Sequence, residues 1–458
     1  MLKAKNGHLK IEKVDVLNSS FRETNISITP DGQYLYFMSG RGGKPWSTAN
    51  YTTFHGKPEY DGDVWMSHKV DGHWTRPRAI KEPVNSSSGE DEPVISQDGQ
   101  RVYFQSWKGS WESIGGPYYS SQLDGQRWRT PKPLGGGINQ MFVDSMNKYN
   151  TFATDGMCVS PNQRAFVVAA GYDYDGNLDL YSSKKEHGKW SYLKKLNVST
   201  SGDERSVFIA ADGKTIYFAS NGYGGKGGLD IFKGTLHSNG EITNIINVGA
   251  PFNTHHDDYG FIVAGNGYEA YFVRDGDIYH ADLREADERI RPEKVELLSG
   301  AVKDEGGKPA QAEITFTTPD GKFITKAVSN RLSGEFSLSL PTSDPVKIKV
   351  KANGGVAEYD YKPGDPLPEI KVPKEIPHHL VLFDYDEHFI TPEEKKELDA
   401  FIDNLKLHPD AKVYLSGHTC SHGNHDYNLE LSEDRAKRVY HHMIERGLPK
   451  SQIVVEFH

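Results

Sequence analysis

Cysteine is nearly missing: Cys158 and Cys420 are the only two in 458 residues. That excludes a disulfide framework and leaves the redox compartment open. No run of about 18 apolar residues is present to span a bilayer as a helix. The opening stretch, "MLKAKNGHLKIEKVDV", has no apolar core of a signal peptide. The expectation is therefore a cytoplasmic chain, or one from which a signal peptide and more has been removed. Positive charge is not in excess. With 53 Lys and Arg against 63 Asp and Glu, the net charge of -10 argues against a general electrostatic grip on nucleic acid or anionic lipid. What is abundant is glycine (46), proline (24), tyrosine (24) and phenylalanine (20), the composition of a turn-dense β protein. At roughly 100–200 residues per domain, the length suggests two to four domains.

Five segments of the first two thirds share one pattern, a turn of the Asp-Gly type followed by an alternating aromatic strand: "SITPDGQYLYFMS", "VISQDGQRVYFQS", "CVSPNQRAFVVAA", "FIAADGKTIYFAS" and "IVAGNGYEAYFVR". Aligned before the turn they fall at 30, 97, 161, 211 and 265, giving periods of 67, 64, 50 and 54 by subtraction. Each is followed by a second strand such as "DGDVWMSHKVDGHW" or "GGLDIFKGTLHSNG". Such spacing is that of a propeller blade lengthened by loops. The pattern resembles the TolB-like, WD-type β-propeller family, which implies an all-β propeller of about five blades over residues 9–293. Leu9 to Val16 is expected to supply the outer strand that closes the ring.

Two motifs here invite a chemical reading. In "DYDGNLD", Asp173, Asp175, Asn177 and Asp179 alternate as calcium ligands do, but Leu178 stands where a calcium loop needs glycine and the twelfth-position glutamate is missing. A blade turn is the favoured reading. "GYGGKGG" (Gly222 to Gly228) lacks the Lys-Ser/Thr and following helix of a phosphate cradle. No catalytic constellation stands out, so no catalytic residue and no cofactor is expected.

From about Val295 the texture changes to strands split by turns, "LSGAVKDEGGKPAQAEITFTTPDGKFITKAV", predicting a compact sandwich of about seven strands. It resembles the carboxypeptidase regulatory-like, transthyretin-like domain, assigned to residues 294–373 and read as a rigid connector. "KPGDPLPEIKVPKEIP" follows as a Pro-rich linker.

The last segment, 374–458, predicts the order βαβαβ: a strand at Leu380 to Phe383, a helix capped by Thr391 with Pro392 at its first position, a strand at Lys412 to Ser416, a helix from Ser432 and a strand from Ser451. The motifs "FDYDEHFITPEEKKELDAF", "VYLSGHTCSHGNHDYNLELSEDRAKRV" and "ERGLPKSQIVV" resemble the OmpA C-terminal peptidoglycan-binding domain. The resemblance implies a site for the diaminopimelate of a stem peptide built from Phe383, Asp384, His418, Thr419, Cys420, Asn428, Leu431 and Arg435. Arg435 is expected to take the ligand carboxylate near a helix start. Cys420 replaces the family's aspartate, so the ammonium falls to backbone carbonyls, Asp384 or Asp426, and binding is expected to survive but weaken. His418, Cys420, His422 and His425 crowd one loop, yet their spacing is a weak match to a structural zinc site, and no metal is expected.

In domain order the chain resembles the PorE-type accessory lipoproteins of the type IX secretion machinery. That implies a non-enzymatic periplasmic scaffold, associated with outer membrane and cell wall, whose partners are peptidoglycan and protein components of an outer-membrane assembly. The lipobox cysteine and helical repeat of that family are missing here, as are its final strand and second arginine motif, so a processed or partial chain is expected. The alternatives are a wall-tethered propeller hydrolase and a TolB-like envelope module unconnected with secretion.

Overall fold

The chain divides into two compact units, Met1–Lys374 and Glu375–His458. The structure, a computed structural model, describes residues 2–3, 9–41, 52–54, 57–59, 62–107, 115–172, 177–352, 355–372, 381–384, 387–409, 411–419 and 425–457. It is mostly β.

In the first unit, the five repeats fold as five antiparallel sheets. Each starts with an inner strand: Glu23–Ile28, Glu90–Ile95, Ala153–Val159, Glu204–Ile209 and Asp258–Val263. The turn chemistry is local. Asp31 Oδ1 accepts from the Gln33 amide at 3.0 Å, and Gly32 sits at φ +70°. Gly99, Gly213 and Gly267 repeat that left-handed position, which glycine adopts without a Cβ penalty. The third copy puts Gln163 there at φ +58°, with Asn162 Oδ1 accepting from the Arg164 amide at 3.1 Å.

The second strand of each repeat is buried almost throughout, as at Thr215–Ser220, where all six residues are buried. Both faces of such a strand meet a neighbouring sheet. The inner strands neighbour one another in cyclic order, first to fifth and fifth back to first. Specific contacts mark each junction: Ile95 N to Ser27 Oγ at 3.1 Å, Gln105 Nε2 to Thr154 Oγ1 at 2.6 Å, and Arg205 to Asp155 at 3.0 Å. The Tyr217 and Phe261 rings lie 4.9 Å apart, and Arg22 Nε meets Tyr259 Oη at 3.3 Å. The N-terminal strand Ile11–Lys13 completes the fifth sheet, pairing Ile11 with Ala281, as expected for Leu9 to Val16.

Two features of this region were not expected. Helix α1 (Gly136–Tyr149) precedes the third sheet and buries Ile138, Phe142 and Ser145. It starts at a glycine run because a Cβ on Gly137 would stand 2.1 Å from the Tyr192 amide nitrogen. The other sheets carry a capped loop instead. Glu23, Glu90, Glu204 and Asp258 are fully buried carboxylates, each accepting from the backbone amide four residues earlier at 2.7–3.0 Å. Burial pushes the Glu90, Glu204 and Asp258 carboxyls up, opposed at Asp258 first by the Arg274 guanidinium and at the others by hydroxyl and amide donors.

Residues 296–371 form the seven expected strands, in a three-stranded and a four-stranded sheet around one apolar core that includes Ile314, Phe316, Leu340 and Ile348. The sandwich is not only a connector. It packs on the turn side of the five sheets, within the same unit. Gln97, 4% exposed, uses all four of its side-chain hydrogen-bonding capacities there. Its amide donates to Thr325 Oγ1 at 2.7 Å and to the Lys326 carbonyl at 2.9 Å, and its oxygen accepts from Ser339 N at 3.1 Å and Ser339 Oγ at 2.9 Å. Asp98 accepts from Val328 N at 2.8 Å, Arg164 stacks 3.7 Å over the Phe323 ring, and Ser339 Oγ also lies 3.2 Å from the Ala211 carbonyl oxygen.

The second unit packs α2 (Pro392–Lys406) and α3 (His425–Glu445) against two parallel strands, Val413–Gly417 and Ile453–Phe457. Thr391 caps α2, its Oγ1 accepting from the Glu394 amide at 3.3 Å. Two expectations are corrected. α3 starts at His425, two turns before Ser432. Residues 381–384 are not a strand: Val381 and Phe383 pack inward while Leu382 is 59% exposed, so the alternation is present without a backbone ladder.

Candidate functional site

The second unit gathers its candidate residues where the strand Val413–Gly417 runs into the loop before α3. Gly417 fixes how close the helix comes: a Cβ there would lie 2.0 Å from the Ser432 carbonyl oxygen. Ser432 is fully buried, and its hydroxyl donates back to the Leu429 carbonyl at 2.8 Å. Thr419 Oγ1 donates to the Asn428 carbonyl at 3.4 Å, tying the loop to the first turn of α3.

Arg435 is the hub. Its Nε donates to the Glu387 carbonyl at 2.8 Å, Nη1 to the His418 carbonyl at 3.3 Å and Nη2 to the Asp384 carbonyl at 3.1 Å. Its guanidinium carbon lies 5.2 Å from the centre of the Phe383 ring. One side chain thus stitches two loops together and stacks on an aromatic face. A guanidinium has five N–H groups. Among the described residues three are used, which leaves one on each Nη for the two oxygens of a carboxylate.

The structure therefore brings Phe383, Asp384, His418 and Arg435 together, with Thr419 and Asn428 beside them. His418 is exposed, its Nε2 2.9 Å from Ser416 Oγ. Leu431 is half-buried on α3. Arg435 lies in the third turn of α3 rather than near its start, because the helix begins at His425; the expected help from helix N-terminal amides does not apply. Cys420 and His422 lie outside the described residues, as do the side chains of His425 and Asp426. Asp173 and Asp175 of the calcium-like stretch also lie outside them. Asp179 pairs with Lys195 at 2.6 Å and Asn177 donates to the Thr200 carbonyl at 3.2 Å.

Residues 382–458 match the OmpA family. The similarity extends to curated proteins. The chain is 36% identical over 80 residues to the peptidoglycan-associated lipoprotein of Legionella pneumophila, covering 17% of this chain and 46% of that protein. It is 33% identical over 165 residues to the peptidoglycan-binding protein ArfA of Mycobacterium tuberculosis, covering 36% of this chain and 44% of that protein. The chain spans about half the length of the curated relatives it matches. Among solved structures, the peptidoglycan-associated lipoprotein of Burkholderia pseudomallei matches at 27% identity and a TM-score of 0.17, over 17% of this chain and 65% of that one. A family 117 glycoside hydrolase of Zobellia galactanivorans matches at 14% identity and a TM-score of 0.40, over 64% of this chain and 95% of that one.

The first unit holds a second polar cluster, which sequence reading missed. Every inner strand has a register shift, and its backbone turns left-handed there: Asn25, Glu92 and Ser206 at φ +49° to +53°, Gly156 and Gly260 in the other two. Asp91 accepts from Asn25 Nδ2 at 2.8 Å, Glu92 accepts from Tyr118 Oη at 2.7 Å, and Asp155 pairs with Arg205. Burial, and for Glu92 next the charge of Asp91, pushes both carboxyls up. The available signal was "GEDEPVIS", three consecutive acids that open an inner strand.

Proposed function

We propose that the chain is a non-enzymatic periplasmic scaffold. Its OmpA domain would bind peptidoglycan through a diaminopimelate stem peptide, and its first unit would carry protein partners of an outer-membrane, type IX secretion assembly. The observation that carries the wall-binding part is Arg435, held by three backbone carbonyls with one N–H left on each Nη. Phe383, Asp384, His418, Thr419, Cys420, Asn428 and Leu431 complete the proposed site. The names of the relatives, peptidoglycan-associated and peptidoglycan-binding, support the same reading.

In this account the domains are 9–293, a five-bladed propeller; 294–373, a carboxypeptidase regulatory-like sandwich; and 374–458, the OmpA domain. The cyclic order of the inner strands supports the propeller. Because the sandwich occupies the turn side of the blades, partners would use the opposite face, where the capped loops stand. Localisation at the outer membrane and wall, and the link to secretion, rest on domain order.

Calorimetric titration with a diaminopimelate-containing stem peptide tests the site. The parent chain is expected to bind, Arg435→Ala to lose binding, and Cys420→Asp to gain it. Binding unchanged in Arg435→Ala would sink the assignment.

The carboxylates of the inner-strand cluster favour one second reading, a wall-tethered hydrolase with Asp91 and Asp155 as its acids. Release of soluble fragments from purified wall by the parent but not by Asp91→Asn would decide for it. Asp155 is committed to Arg205, and Asp91 to Asn25, which supports a structural role instead.

A further inference from the structure

Between the second and third sheets and the sandwich, wholly within the first unit, lies a cleft of about 360 Å³. Its size falls in the range of small-molecule sites, about 300–1,000 Å³, which favour domain interfaces. Its lining is polar. Arg101, Lys326 and Lys351 bring three cations to it, a local excess in a chain of net charge -10. Two carboxylates face them, and both are committed. Glu313 pairs with Lys326 at 3.2 Å. Asp98 accepts from the Gln100 amide at 3.0 Å, from Val328 N at 2.8 Å and from the Ser96 hydroxyl. Glu313 also stands opposite Lys351 in the strand register, so two carboxylates face three cations and the cleft keeps a positive excess.

Arg101 is pre-oriented. Its Nη1 reaches Ser120 Oγ at 3.4 Å and its Nη2 reaches Gln122 Oε1 at 3.1 Å, so the guanidinium plane is held from one side and further N–H groups remain. Side-chain amides complete the wall. Gln163 accepts from Tyr103 Oη at 3.2 Å through its oxygen, which leaves its NH₂ for the cleft, and Gln311 lines the opposite side. A planar fork matches a carboxylate with two parallel hydrogen bonds. Amides, which both donate and accept, match neighbouring hydroxyls.

We propose that this cleft binds an acidic saccharide, a sugar ring whose carboxylate is taken by Arg101 and Lys351 and whose hydroxyls are taken by the glutamine amides. The site uses no residue of the OmpA domain. It stands or falls independently of the stem-peptide reading.

The test is calorimetric titration of the full chain carrying Arg435→Ala, so that the stem-peptide site is disabled. The probes are N-acetylmuramic acid, N-acetylglucosamine, which lacks the lactyl carboxylate, and inorganic phosphate. N-Acetylmuramic acid is expected to bind at least tenfold more tightly than either of the others. Arg101→Ala is expected to weaken it at least tenfold. Lys351→Gln, at an exposed position, is expected to weaken it as well. No heat with N-acetylmuramic acid, equal affinity for the two sugars, tighter binding of phosphate, or indifference to both substitutions would each overturn the proposal.

Discussion

At the scale of single residues, the positions that matter most are those where a side chain, or the lack of one, sets the approach of two backbones. Gly417→Ala forces a methyl group toward the Ser432 carbonyl, 2.0 Å from the ideal Cβ position. Overpacking of this kind costs roughly 1–3 kcal/mol. The OmpA domain is therefore expected to unfold earlier in denaturant, and stem-peptide binding to weaken as α3 is pushed off the loop. Glu92 offers a test with a sign. Burial and the Asp91 charge raise its folded-state pKa above the unfolded value. Between those two values the folded state holds more protons than the unfolded one, so this group makes stability fall as pH rises from the ordinary carboxylate range upward. Glu92→Gln is expected to flatten that fall in thermal melts taken from pH 5 to 8. A slope unchanged by the substitution would mean that the carboxyl is not desolvated.

At the scale of elements, Gln97 joins the second sheet to the sandwich. Gln97→Ala leaves the Ser339 amide, the Thr325 hydroxyl and the Lys326 carbonyl without this partner, and each buried orphan costs about 1–3 kcal/mol. The expected outcome in calorimetry is that the sandwich melts separately from the sheets; a single unshifted transition would contradict its role. This docking could have been suspected from the sequence. The five turns read Pro-Asp-Gly, Gln-Asp-Gly, Pro-Asn-Gln, Ala-Asp-Gly and Gly-Asn-Gly, and only the second puts a large polar side chain before the turn. The sheets themselves were legible because Asp-Gly turns and aromatic strands are local signals. Helix α1 was not, since a glycine run hid its start and its packing partner, the chain at Tyr192, is distant in sequence. The start of α3 was missed for a related reason. Ser432 has the chemistry of an N-cap, but here it is fully buried mid-helix and its hydroxyl turns back to the Leu429 carbonyl. The role of Arg435 as a stitch between two loops needed the fold, because its three partners are backbone carbonyls.

At the scale of the whole molecule, the proposed tether assigns wall binding to the loop of the second unit and partner binding to the face of the first unit that the sandwich leaves free. The same pairing would let a wall-directed domain hold any cargo, so the central claim is attachment itself. The most direct measurement is co-sedimentation of the full chain with purified, protein-free peptidoglycan sacculi, run beside Arg435→Ala. The account expects the parent chain in the pellet, displaced by free diaminopimelate-containing peptide, and the variant in the supernatant. A variant that pellets as fully as the parent, or a parent that stays in solution, would contradict it.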